Sequence, residues 1–213
     1  EGVGMSTFNE SHFVLRRFQS LLGIIPVGAF LAEHAYSNAL AFFYGPEKFD
    51  SQVLFLQTLP FVHFMEIFLI GVPILLHAAI GFYIWVYGQS NVQYYGYWRN
   101  WLYSLQRWTG IIAIVFILYH VYKMRIEWMF TQPDMKHVDF AFVQSYFTHT
   151  WHIIFYFVGV AAASFHFGNG LWNFLVKWGI TVGDRAQQVS MILCMILGFG
   201  VFAFFISSLY AFS

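Results

Sequence analysis

Apolar runs separated by short polar breaks dominate the chain. Five of them predict helices, over about Val14 to Phe43, Phe61 to Tyr87, Trp98 to Met129, Thr148 to Trp178 and Ala186 to Phe212. Each is long enough for the roughly twenty residues that cross a bilayer core of about 30 Å. The stretches between them, "YGPEKFDSQ", "GQSNVQYYGYWRN", "TQPDMKHVD" and "GITVGDRAQQ", are polar or rich in turn residues. The pattern predicts an all-α membrane protein with five transmembrane helices and a single transmembrane domain over 1–213.

Composition agrees with that pattern. Only 9% of the 213 residues are charged against 59% hydrophobic, where soluble domains carry about 25% charged residues. The formal net charge is zero, so no basic patch argues for nucleic acid. A single cysteine, Cys194, excludes a disulfide framework and a thiolate-held iron–sulfur cluster. The opening "EGVGMSTFNESHFVLRR" lacks the apolar core of a cleavable signal peptide. Arg16, Arg17, Arg99, Arg107, Lys177 and Arg185 fall on one side of the membrane. Lys48, Lys123, Arg125 and Lys136 fall on the other, diluted by five acidic residues. The bias puts the N-terminus in the cytoplasm.

Histidines carry the candidate chemistry. His34, His77, His120 and His166 each lie well inside a different one of the first four helices, and the fifth helix has none. Depth follows from counting residues at about 1.5 Å each. It sorts them into an outer pair, His34 with His120, and an inner pair, His77 with His166. Ionisable side chains inside the membrane are costly and mark function, and imidazole on facing helices suits iron. Gly81 and Gly170 follow the inner histidines by one turn on the same face, and Gly28 and Gly110 lie near the midpoints of the outer-pair helices; both sets offer room for a flat macrocycle. A rival pairing uses His63 and His152, each fourteen residues before an inner histidine. It would put two haems between two helices and leave His34 and His120 without a role. The four-helix pairing accounts for more of the chain.

Four motifs in order, "RRFQSLLGIIPVGAFLAEH", "EIFLIGVPILLHAAIGFYI", "RNWLYSLQRWTGIIAIVFILYH" and "FHFGNGLWNF", run from about Phe13 to Asp184. Together they resemble the five-helix, two-haem cytochrome b anchors of succinate dehydrogenases and the related fumarate reductases. The resemblance implies that the first four helices form a haem-binding bundle for two haem b. His34 and His120 would ligate the distal iron, and His77 and His166 the proximal iron. It further implies docking on an iron–sulfur subunit that carries a flavoprotein, electron delivery to menaquinone or ubiquinone, and residence in a bacterial inner membrane. The chain would carry no succinate chemistry itself, and a higher oligomer is open. Two other readings are a cytochrome b subunit of another quinone-linked dehydrogenase, such as a hydrogenase or formate dehydrogenase, and a haem-free proton-conducting membrane protein.

Secondary candidates cluster at the two ends. Ser20 and Arg107, with Arg16 or Arg17, lie near the inner haem, where the arginines would neutralise propionates. Glu66, with His63 one turn earlier, lies in the outer half and would exchange protons with a reducing quinone. The segments "SNVQYYGYWRN" and "TVGDRAQQ" are expected to form the docking face for the iron–sulfur subunit. Glu33, beside His34, has no role in this reading.

Overall fold

The computed structural model describes residues 2–88, 92–131 and 138–213, with side chains from Phe13 onward. Ser90 and Asn91 of the expected docking face, and Lys136 in the outer loop, lie outside the described residues.

Five helical stretches are long and apolar enough to cross a membrane: Phe13–Tyr44, Val62–Tyr87, Trp98–Thr131, Thr150–Lys177 and Asp184–Phe212. The first is not the single helix that its apolar run predicts. It consists of α1 (Gly2–Ile24) and α2 (Pro26–Tyr44), broken at Ile25. Ile25 N still donates to Leu21 O at 3.0 Å, but Pro26 has no N–H to continue the ladder.

The polar break after α2 hides another helix, α3 (Pro46–Gln57). Gly45, at φ 87°, reverses the chain, Pro46 presets the first helical turn, and Glu47 favours its positive end. Phe49, 3% exposed, and Val53 one turn later turn inward. A helix of three turns with a narrow apolar stripe leaves no long hydrophobic run, so the polar residues around it read as a loop.

The second span comprises α4 (Val62–Phe64), a π-helical stretch Met65–Gly71 and α5 (Val72–Tyr87). Pro73, the second residue of α5, cannot donate to the turn before it, which accompanies the wide turns there. The third span runs through α6 (Trp98–Val121), a second π-helical stretch Tyr122–Glu127 and α7 (Trp128–Thr131). Helix α8 (Phe140–Tyr146) is another short helix inside an expected break. Its N-cap Asp139 accepts from Phe142 N at 2.8 Å, and Asp50 of α3 accepts from Phe140 N at 2.7 Å. Burial, with a hydrogen bond to the Tyr119 hydroxyl, pushes the Tyr146 phenol above its usual pKa range. The fourth and fifth spans are α9 (Thr150–Lys177) and α10 (Asp184–Phe212).

Helix α9 is central: α6 and α10 pack along it, α1 reaches it, and α2 packs on α10. Phe49, Phe116, Val143, Phe147, Tyr156 and Phe212 form an aromatic core toward the outer end, which α3 and α8 cover. Leu102, Trp172 and Cys194 form a smaller core toward the inner end. Large apolar side chains such as Leu193, Ile196 and Phe199 of α10 stay more than half exposed, as lipid-facing residues do. The α9–α10 crossing is made by glycines: a methyl on Gly198 would lie 2.9 Å from Ser164 O and 3.0 Å from the Gly168 Cα. Backbone cannot yield there as a flexible side chain would. A Gly198→Leu protein should lose about 1–3 kcal/mol of stability through overpacking, read as a lowered unfolding midpoint in detergent.

Candidate functional site

The inner histidines are fixed by main chain. His77, on α5, lies with Nδ1 2.8 Å from Gln19 O of α1. His166, on α9, lies with Nδ1 3.0 Å from Gln106 O of α6. A carbonyl only accepts, so Nδ1 carries the proton in both rings and each Nε2 keeps its lone pair. The close approach needs glycine one turn along the accepting helix. A methyl on Gly23 would lie 2.5 Å from His77 Cε1, and one on Gly110 would lie 2.9 Å from His166 Cε1. Gly81 and Gly170 complete the crossings differently from expectation. They face the side chains of Gln19 and Gln106, whose Nε2 atoms would be 2.9 and 3.2 Å from an added methyl. Gly28, in turn, lies under the ring of Phe167.

The α6–α9 crossing is braced further. Gln106 Nε2 donates to His166 O at 3.0 Å, and fully buried Asn169 donates to Gln106 Oε1 at 2.7 Å and Leu102 O at 3.2 Å. The outcome is a pair of half-buried rings, His77 and His166, with centres 6.1 Å apart and planes at 89°.

The outer pair, His34 on α2 and His120 on α6, has ring centres 5.8 Å apart and planes at 71°. Its surroundings are side chains. His120 Nδ1 lies 3.2 Å from Tyr156 Oη, and Asn38 Nδ2 lies 3.3 Å from His34 Nδ1 while donating to His34 O at 2.8 Å. Phe30 stacks on His34 and Phe116 on His120. The two ring pairs are therefore the four-helix pairs of the depth count. His63 is 79% exposed at its side chain, and His152 packs against Tyr146 and Trp151, so neither joins them.

At the inner end, Arg107 Nη2 donates to Trp85 O and, at 2.9 Å, to Gly88 O, satisfying carbonyls that the end of the second span leaves open. Arg17 donates to Lys177 O at 3.2 Å and lies over the rings of Phe13 and Trp178. Ser20 donates to Arg17 O and accepts from Trp178 Nε1 at 3.2 Å. The Nε atoms of Arg17 and Arg107 are buried with no hydrogen-bond partner among the described residues. Arg16 is exposed.

At the outer end, Glu66 is paired with a residue that sequence reading used only for topology. Arg125 Nη2 lies 2.6 Å from Glu66 Oε2, and His63 Nδ1 lies 3.3 Å from the same oxygen. Both charged partners sit in the π-helical stretches of neighbouring spans, a geometry often found at functional positions. Opposite charges at matching depth were the available signal. Glu33 also gains a setting: Ser37 donates to it, and Gln52 of α3 donates to the Ser37 hydroxyl at 3.2 Å.

Five helices long and apolar enough to cross a membrane, with two pairs of imidazoles between them, make this an all-α membrane protein. Residues 97–207 match the family model of the succinate dehydrogenase/fumarate reductase transmembrane subunit. The chain is 43% identical over 185 residues to the succinate dehydrogenase cytochrome b558 subunit of Bacillus subtilis (strain 168), covering 87% of this chain and 89% of that protein. The chain belongs to the succinate dehydrogenase/fumarate reductase transmembrane-subunit family.

The Glu66–Arg125 pair should be energetically coupled. A double-mutant cycle with Glu66→Gln and Arg125→Gln, followed by denaturation in detergent, should give a coupling of about 1 kcal/mol; independent losses would mean that the contact contributes nothing.

Proposed function

We propose that this chain is the dihaem membrane anchor of a succinate:quinone oxidoreductase, receiving electrons from an iron–sulfur partner at its arginine-rich end and delivering them to menaquinone toward the other. The observation that carries the reading is the two imidazole pairs from four different spans. Ring centres about 6 Å apart leave room for one metal between two imidazoles at nitrogen–metal bond lengths of about 2 Å, and the pairs here measure 5.8 and 6.1 Å. No three metal-ligating residues cluster among the described residues. A pair therefore suits a metal whose remaining positions are filled by a macrocycle, as in haem.

His77 and His166 would hold the inner iron, their Nε2 atoms freed because each Nδ1 is committed to a main-chain carbonyl. His34 and His120 would hold the outer one. The Nε atoms of Arg17 and Arg107, without a partner among the described residues, are suited, with Ser20 beside Arg17, to charge-assisted bonds to inner haem propionates. Haems held in this way would supply one-electron carriers. Phe30, Phe116 and Phe205 keep water from the outer imidazoles.

Reduction of a quinone to quinol takes up two protons. Glu66, held by Arg125 and reached by His63 near the outer face, is suited to pass them. The basic end is the cytoplasmic one by charge bias, and the protein would reside in a bacterial cytoplasmic membrane beside iron–sulfur and flavoprotein subunits. Transfer of one charge across the whole membrane is coupled to the potential by about 2.3 kcal/mol per 100 mV.

Absorbance spectroscopy of the purified protein tests the reading. Dithionite should produce a low-spin haem b spectrum with two haems per chain, and His120→Leu or His77→Leu should each remove one. A colourless protein would favour the haem-free proton conductor. Glu66→Gln should keep both haems and slow quinone reduction by roughly 10²-fold, the contribution typical of a positioned acid–base group. Unchanged turnover would remove Glu66 from the reaction.

A further inference from the structure

The two histidine pairs are anchored by different chemistry. Both inner rings bond to helix carbonyls, which a substitution at those positions leaves in place. In the outer pair, His120 Nδ1 meets a side-chain hydroxyl, Tyr156 Oη, at 3.2 Å. Tyr156 is 6% exposed and held edge-on by Phe116 and Phe147, so its hydroxyl is fixed in position. It lies ten residues before His166 on the same helix, about 15 Å away along the axis. Helix α9 therefore supplies a member of the inner pair and the support for the outer one.

We propose that Tyr156 is the positioning residue of the outer site: by accepting a hydrogen bond from His120 Nδ1–H it orients the ring, directs Nε2 toward His34, and sets how readily the outer haem takes an electron. The proposal rests on the reading of the pairs as haem ligands. A hydrogen-bond acceptor on Nδ1–H makes the imidazole more basic. A more basic ligand favours the oxidised iron, so loss of the acceptor favours the reduced form. The Tyr156 hydroxyl makes this contact, and Phe keeps the ring that fills the space.

The test is a redox titration of the purified full-length Tyr156→Phe protein, followed by absorbance and by the paramagnetic resonance of the two ferric haems. His120→Leu, which lacks the outer haem, assigns the signals. The expected result is two retained haems, an inner signal unchanged in potential and shape, and an altered outer signal. The outer reduction equilibrium should shift about tenfold toward the reduced form, about 59 mV for one electron. Both haems unchanged, or both shifted alike, would overturn the proposal. If Tyr156→Phe fails to accumulate, redox-difference infrared spectra of the wild-type protein decide. A tyrosine band that titrates with the outer haem alone supports the proposal, and its absence refutes it. A wild-type protein without haem would instead refute the reading on which the proposal rests.

Discussion

A polar ring inside a bilayer must find its partners within the protein, because hydrocarbon offers none. That constraint organises this molecule around four imidazoles. At the inner pair, each Nδ1–H reaches a carbonyl on a neighbouring helix, and a helix carbonyl is reachable only if the two backbones come close. Gly23 and Gly110 permit that approach, and Gly81 and Gly170 make room for the glutamine side chains on the return face. The arrangement occurs twice. In each case Gln-x-x-x-Gly on one helix crosses His-x-x-x-Gly on the next, with residues 19 and 23 against 77 and 81, and residues 106 and 110 against 166 and 170. The helix crossings that build the fold are therefore the same contacts that orient the candidate ligands.

Long apolar runs made the five spans legible in the sequence, and counting residues from the charged ends gave histidine depths that match the observed ring pairs. Four features were not legible, each for a physical reason. The carbonyl anchors carry no sequence signal, since every residue has a carbonyl. The glycines were visible, but their partners were not: same-helix spacing tied Gly81 and Gly170 to the histidines, whereas the contact that matters runs between helices, through Gly23 and Gly110. Helices α3 and α8, of twelve and seven residues, are too short for an apolar period to emerge. Arg125 was read as a topology charge because its partner Glu66 is 59 residues away in the chain.

The two ends of the bundle differ in kind. Toward the inner end, arginines bond to open helix carbonyls and lie over tryptophan rings. Toward the outer end, two helices follow wide π turns, and there a carboxylate, a guanidinium and an imidazole converge. The proposed path of electrons from one face toward the other rests on this polarity.

The break between α1 and α2 falls where the spacing of the first span departs from that of the third. From Gln19 to His34 is fifteen residues, whereas from Gln106 to His120 is fourteen. On unbroken helices that one-residue surplus would swing His34 about 100° out of register with His120. Pro26 removes a ladder hydrogen bond between those points, which leaves the first span the slack to absorb part of the difference, and the His34 and His120 rings still meet at 5.8 Å.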